Sequence, residues 1–259
     1  MALSPRARRR LLLAVVLLGL PALVAAGLAV FLARGGLERS IEQAWRSRLI
    51  GRLEVGRVEI DDLGTARVSA LTIADGQGGG PLLEVPGLEV RGSLVSGKLD
   101  SLAFRNPVIV FDAARRDFAL DLAADVARFV RSLITPIPPL LVTIHDGRQV
   151  VGESLTVERV QATWDNRTGP PHVDLTGDLA GSPLRLTYDQ DGQTLRFTWV
   201  EGRLPLPLVA RALGEIGLPV LPARMLPVLP ATADLAGSAA EVTVDGITGH
   251  LNAVFDTTT

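Results

Sequence analysis

From Leu53 onward, apolar and polar residues alternate in short runs, and Gly, Asp or Asn-Pro interrupts these runs every few residues. Successive side chains of a β-strand point to opposite faces, so strict alternation predicts strands with one buried and one solvated face. The stretch Val58–Asp75, VEIDDLGTARVSALTIAD, contains two such runs around DDLG. We interpret it as a β-hairpin with DDLG as its turn, and we expect the chain beyond Leu53 to be mainly β with a few helices.

The same reasoning divides the body of the chain into successive elements. Predicted strands cover residues 53–60, 66–74, 82–91, 98–104, 107–112, 140–145, 154–164, 171–180, 183–189 and 193–200. Two or three more strands are predicted after residue 230. Helical spacing of apolar residues predicts helices near 121–134 and 206–216. We expect a curled antiparallel sheet, in the form of a trough or a partly open barrel or sandwich.

Two hairpins supply the candidate functional surface, which is apolar. In the hairpin with the Asp191-Gly192 loop, the apolar positions are Leu184, Leu186, Tyr188, Leu195, Phe197 and Trp199. In the first hairpin they are Val58, Ile60, Val68, Leu71 and Ile73. The sequence leaves open whether these side chains face a lipid or form an ordinary core, because the two predicted helices could cover the same face.

In some predicted strands the alternation of apolar and polar residues shifts by one position, which we call a parity change. In SLTVERVQATW, Leu155 and Val157 are followed by Val160 and Ala162 rather than by the residues in phase with them, and a similar change occurs around Pro86-Gly87. Either a bulge or strong bend moves the apolar side chains back to one face, or these strands are buried on both sides.

The N-terminus contains 22 uncharged residues, Leu11–Leu32, directly after RARRR. About 20 apolar helical residues span a membrane, and arginines remain on the cytoplasmic side. We therefore expect a cytoplasmic segment 1–10 and a transmembrane anchor with its ends at Leu11 and Leu32. A cleaved signal peptide ending near Val24-Ala25-Ala26 is the alternative. Both readings place the body of the chain outside the cytoplasm.

A short amphipathic helix is predicted at 35–50, between the anchor and a β-rich domain at 53–259. It contains Trp45, for which two roles are open. Tryptophan is common at membrane–water interfaces, where it acts as an anchor. Alternatively, Trp45 caps the open end of the sheet.

Charge and composition exclude several functions. Five arginines and no acids precede residue 37, so removing those five from the 26 basic residues leaves 21 against 28 acids, a formal net charge of −7 for the body. Such a body does not suit nucleic acid. The chain has no cysteine, which excludes disulfides, thiolate metal sites and a cysteine nucleophile.

Residues with catalytic chemistry are few and scattered. His145, His172 and His250 have no metal-site spacing, and His145 is expected at a strand end. Asp189 and Asp191 lack the acidic twelfth residue of a calcium loop and fit a hairpin turn better. Asn166 begins an N-R-T sequon that we also interpret as a turn. We therefore expect no enzymatic activity, no cofactor and no metal.

The order of elements resembles the N-terminal region of AsmA-like proteins, including the TamB and YdbH groups. The resemblance covers about two-thirds of the chain. It rests on the order and residue pattern of the predicted strands and turns rather than on catalytic motifs. The matching segments are Leu53–Asp75, Leu82–Val90, Leu94–Leu102 and Asn106–Asp112. It implies an inner-membrane anchor followed by a periplasmic sheet curled into an apolar trough, and some family members are thought to carry phospholipid between membranes.

Two functional hypotheses follow. In the first, the protein is anchored in the inner membrane, lies in the periplasm, and binds lipids or assists lipid transport and envelope assembly through an apolar sheet groove. In the second, it is a non-catalytic scaffolding subunit of an envelope or secretion assembly. The expected partners are the inner membrane, phospholipid and other envelope proteins, with no nucleic acid.

Overall fold

The computed structural model describes residues 45, 49–60, 65–75, 80–93, 98–122, 125, 139–169, 172–191, 194–218, 232–234, 236–243, 246–250 and 254–255. The described strands are β1 (Arg52–Val55), β2 (Val58–Ile60), β3 (Thr65–Val68), β4 (Leu71–Ala74), β5 (Leu83–Val85), β6 (Gly87–Ser93), β7 (Lys98–Arg105), β8 (Val108–Phe111), β9 (Leu141–Val151), β10 (Leu155–Asp165), β11 (His172–Leu179), β12 (Ser182–Asp191), β13 (Thr194–Leu204), β14 (Ala233–Asp234), β15 (Ala239–Thr243), β16 (Gly246–His250) and β17 (Val254–Phe255). Helix α1 (Leu206–Glu215) follows β13, and residues 116–122 are also helical.

The first eight strands are the halves of four bent strands. β1 pairs with β4 and β2 pairs with β3 in one continuous register, shown by the pairs Val55↔Leu71 and Val58↔Val68. Backbone hydrogen bonds also cross the bend, since the N–H of Gly56 donates to the carbonyl of Ala70 at 2.7 Å. The predicted strands 53–60, 66–74 and 82–91 are therefore each present as one strand with a bend.

Neighbouring strands are mostly consecutive in the chain and antiparallel, with one exception that corrects the expectation of a purely antiparallel sheet. β9 runs parallel to both halves of the preceding bent strand, as the pairs Leu102↔Val142 and Ile109↔Gln149 show. Parallel pairing requires a long crossover. The crossover here is the segment between β8 and β9, which includes the helical residues 116–122.

The parity change predicted in the strand that contains Val157 and Val160 marks a bulge in β10. In β10 the register shifts between Glu158 and Gln161, and Arg159 between them has a φ of 52°. The facing strand β9 bends at Asp146, whose φ is 54°. These irregularities return Val157 and Val160 to the same buried face, so the bend interpretation is confirmed here.

The sheet is open. Among the described residues, β1 and β2 form one side of the strand order and pair only with β4 and β3. At the other side lie β16, which pairs with β15, and β17, which pairs with β14. No pairing of described residues joins the two sides.

The face of the sheet that carries the buried apolar side chains of the core cluster is called the inner face, and helix α1 covers part of it. Val209, Ala212 and Leu213 are its buried residues, and they belong to the same core cluster as the strands. Pro at its first turn fits a position that needs no backbone donor. Gly217, with a φ of 74°, follows its end. The prediction of a helix near 206–216 is confirmed.

The other predicted helix begins earlier than expected, at residue 116 instead of 121, and its Ala119 and Leu122 are buried in the core. Residues 126–134 of the prediction lie outside the described residues, as do residues 1–44 with Leu11 and Leu32. Within the described part of the chain, no helix has the length and apolar character needed to cross a membrane. Among the described residues after 230 there are four short strands, where two or three were predicted.

Candidate functional site

The candidate apolar residues of the two hairpins whose side chains are described lie on the inner face of the sheet. Those with described side chains, apart from Val58, are at most 4% exposed: Val68, Leu71, Ile73, Leu184, Leu186 and Trp199. The side chains of Ile60, Tyr188, Leu195 and Phe197 lie outside the described part of the structure. The backbone pairs Tyr188↔Phe197 and Gln190↔Leu195 confirm the second hairpin.

Val58 differs from the other candidates because its side chain is 45% exposed. It lies opposite Val68, which is buried, so the two residues share the inner face. β2 has a paired neighbour on one side only among the described strands. The apolar face therefore reaches solvent at this side of the sheet.

Trp45 is buried in the core with 1% of its surface exposed, and its indole N–H donates to the carbonyl of Ile50 at 3.2 Å. The N–H of Leu49 donates to the carbonyl of Trp45 at 2.9 Å, as in a helical turn. This burial fits the role of Trp45 as a cap of the core. Its role as a membrane anchor stays a prediction.

One carboxylate fastens helix α1 to the turn between β9 and β10. Glu215 accepts hydrogen bonds from the backbone N–H of Glu153 at 2.7 Å, from that of Ser154 at 3.1 Å, and from the Ser154 hydroxyl. The hydrogen bond from the Ser154 hydroxyl is the main cause of a lowered pKa for Glu215, and the two backbone donors lower it further. Glu215 is therefore held in its ionised form.

Arg116 forms a second connection to helix α1. Its guanidinium donates to the carbonyl of Ile216 at 3.2 Å, just beyond the C-terminal end of the helix. A cation at this position also interacts favourably with the helix dipole. Helix α1 is thus fixed at its C-terminal end, by one contact from the sheet and one from the helical residues 116–122.

The outer face of the sheet is charged and solvated. Asp174 and Arg185 form a two-bond pair across β11 and β12, with donor–acceptor distances of 3.0 and 2.7 Å. Arg159 pairs with Asp178 at 2.5 Å. Exposed pairs of this kind contribute little to stability, so their main consequence is a polar surface.

A denser cluster of charges surrounds Glu89 on the outer face of β6. Glu89 accepts from Arg91 at 2.6 Å and from Arg105 at 3.1 Å, and its side chain is only 9% exposed although both arginines are about two-thirds exposed. The hydrogen bond from Arg91, followed by that from Arg105, lowers the pKa of Glu89. A shallow depression of about 240 Å³ lies beside it, between Arg57 and Arg105.

The residues considered for catalysis whose side chains are described do not come together. His145 lies inside β9 beside the bend at Asp146, not at a strand end as predicted, because the bend keeps both halves in the sheet. His172 pairs across the outer face with Asp189, with 2.7 Å between Nδ1 and Oδ1. The side chain of His250 is not among those described. The described residues include no group of three or more His, Cys, Asp or Glu side chains able to hold a metal ion.

The Glu215 contact and the Glu89 cluster were not identified from the sequence. Both depend on which residues become neighbours across elements, and alternation within one strand carries no such information. For the Glu89 cluster, the polar positions of the first strands gave a signal, since arginine and glutamate alternate in RVEI and LEVR. This pattern predicts a solvated face but not the enclosure of one carboxylate.

Comparisons with known proteins yield no relative. No protein-family model, no curated protein and no solved structure matches the chain.

Proposed function

We propose that the protein is a membrane-anchored, non-catalytic periplasmic protein that binds lipids along the inner face of its sheet, and so assists lipid transport or envelope assembly. One observation carries the proposal: a single cluster of buried apolar side chains extends from Leu53 in β1 to Ala233 in β14, while the charged side chains lie on the opposite face of the strands. Side chains on this face are aliphatic for the most part, which suits acyl chains. The resemblance to AsmA-like proteins supports the same function, and the apolar segment Leu11–Leu32 supports the anchor.

Lipid access requires movement of helix α1. The helix buries Val209, Ala212 and Leu213 against the core, and an acyl chain in the same place would compete with these side chains. The polar contacts that hold the helix lie at its C-terminal end, around Glu215 and Arg116. Its N-terminal end begins at Pro205 without a side-chain cap. Displacement of this helix is therefore the step that opens the groove.

A reversible lock on helix α1 tests this proposal. A Cβ built on Gly152 lies 3.1 Å from the Cβ of Glu215, close to the roughly 3.5–4.5 Å that a disulfide spans. The chain has no cysteine, so Gly152→Cys combined with Glu215→Cys creates the only pair. The positive φ of Gly152 costs the new residue about 1 kcal/mol. Full-length protein in detergent is incubated with a phospholipid that carries a photoreactive acyl chain.

We expect acyl crosslinks to the inner face in the reduced double variant, a strong decrease after oxidation, and recovery with a reductant. The same molecule in its two redox states is its own control. Equal crosslinking of the inner face in both states would show that displacement of helix α1 does not control lipid access. No inner-face crosslinks in either state would exclude lipid binding there.

The scaffolding function remains the second candidate, and one observation favours it. The inner-face candidates with described side chains are almost fully buried, as in an ordinary packed core, with Val58 the exception. A protein of this kind needs no ligand and acts through its surface. Absence of inner-face crosslinks together with a required role in an envelope assembly would support this candidate over lipid binding.

A further inference from the structure

A net positive patch interrupts the acidic body on the outer face of β2, β3, β6 and β7. Four arginines and two glutamates lie together there: Arg57, Arg67, Arg91, Arg105, Glu59 and Glu89. The body as a whole has a formal net charge of −7, from 21 basic residues against 28 acids. The local excess of positive charge therefore favours an anionic ligand at this place.

Two small residues form the floor of the depression in this patch. Ser69 and Gly87 directly follow and precede the paired residues Val68 and Leu88, so they lie side by side on neighbouring strands. Arg105 faces Gly87 on the far side. Arg57 lies on the near side, where its carbonyl accepts from the N–H of Ser69 at 2.9 Å.

The spacing of the two flanking arginines suits a small anion. With strands about 4.8 Å apart, the backbones of Arg57 and Arg105 are separated by roughly 14 Å. An extended arginine side chain reaches about half of that distance, so two guanidinium groups can approach one ligand from both sides of the floor. Guanidinium groups bind phosphate through paired hydrogen bonds.

Gly87 lies at the bend between β5 and β6, but the backbone there does not require glycine. Its φ is outside the left-handed region, and a Cβ added to it would meet Arg105 at ordinary contact distances of 3.6 and 3.9 Å. A glycine inside a strand weakens the strand, and it often marks a site that a ligand approaches closely. Here its missing side chain leaves the floor of the depression empty.

Glu89 holds the arginines in position. Its carboxylate is 9% exposed and accepts hydrogen bonds from Arg91 and Arg105 with separate oxygens. Each guanidinium has five N–H donors, so both retain donors for a ligand after this contact. The carboxylate thus reduces the freedom of the arginine side chains without using their whole binding capacity.

We propose that this depression binds the phosphate of an anionic phospholipid headgroup. The phosphate chemistry follows from the patch itself, whereas the lipid source rests on the proposed function. Headgroup binding on the outer face and acyl-chain binding on the inner face are separate events at separate residues.

The test measures binding of glycerophosphoglycerol, the soluble headgroup of phosphatidylglycerol, to the full-length protein in neutral detergent by titration calorimetry. Gly87→Val fills the floor and keeps every charge, and Gly169→Val makes the same change where no atom lies within 4 Å. Arg105→Gln removes one arginine of the patch, and Arg185→Gln removes one that is paired with Asp174 elsewhere on the same face. Thermal unfolding confirms that each variant is folded.

We expect affinity to fall at least tenfold in Gly87→Val and Arg105→Gln and to stay within twofold in the two controls. Undetectable binding to the wild type, or equal effects in patch and control variants, overturns the site. If inorganic phosphate or an acidic peptide binds more tightly than glycerophosphoglycerol, the ligand of this site is not a lipid headgroup. Inner-face acyl crosslinking of Gly87→Val is measured in parallel, so failure of headgroup binding and failure of the proposed function are distinguished.

Discussion

Glu215 of helix α1 and Ser154 of the β9–β10 turn are joined by two hydrogen bonds, one from the hydroxyl and one from the backbone N–H at 3.1 Å. A third bond comes from the N–H of Glu153 at 2.7 Å. A single carboxylate thus satisfies three donors and fixes the helix over the apolar face of the sheet. The stability of the covered core therefore depends on this contact.

Replacing Glu215 with glutamine should destabilise the fold by about 1–3 kcal/mol, because hydrogen bonds to a charged acceptor contribute more than neutral ones. Glu153→Gln is the matched control, since it removes the same charge from an exposed side chain in the same turn. Urea unfolding of the full-length protein in detergent measures both variants. Equal effects of the two substitutions would contradict the proposed contact.

The same contact predicts a pH dependence. The folded-state pKa of Glu215 is lowered, so its contribution to stability is complete above the unfolded pKa of about 4.3 and is lost as pH falls through the folded value. The free-energy difference between wild type and Glu215→Gln should therefore be constant from pH 7 to about pH 5 and shrink below it. A difference that stays constant down to pH 3 would assign the effect to packing.

Trp45→Ala should destabilise the protein by about 3–5 kcal/mol, since it creates a cavity in the core. Val58→Ala, at an exposed position, should cost less than about 1 kcal/mol. Thermal unfolding in detergent compares the two variants. A small effect at Trp45, accompanied by weaker membrane association, would instead support its predicted role as an interfacial anchor.

Ala180→Gly should stabilise the hairpin of β11 and β12. Ala180 and Gly181 form its two-residue loop, and their φ values are 52° and 85°. A loop with positive φ at both positions favours Gly or Asn over Ala. The expected gain is about 0.5–1 kcal/mol, measured against Ala210→Gly inside helix α1, which should destabilise by about 1 kcal/mol. A loss of stability in Ala180→Gly would contradict the assigned loop geometry.

The strands and the bend in β10 could be predicted from the sequence because alternation and its interruption are local properties. The parity change between Val157 and Val160 marks the bulge at Arg159 directly. The parallel pairing of β7 and β8 with β9 could not be predicted. It depends on where the chain returns to the sheet after the long crossover. The pattern of residues within a strand does not show which strand will be its neighbour.

The sequence could predict which residues belong to the candidate site, but not how far the rest of the protein buries them. Alternation identified Leu71 and Trp199 as inner-face residues, and both lie there. Their burial depends on elements distant in sequence that join them in one core cluster. The enclosure of Glu89 likewise depends on the cross-strand register that aligns β6 with β7.

The most direct test of the account is the position of acyl crosslinks in the wild-type full-length protein, mapped by mass spectrometry after irradiation with a photoreactive phospholipid. Crosslinks within Leu11–Leu32 are expected of any membrane anchor and serve as the internal reference. Lipid binding by the sheet predicts additional crosslinks to inner-face residues such as Leu71, Ile73 and Leu186. Crosslinks confined to Leu11–Leu32, with none on the sheet, would contradict lipid binding by the inner face.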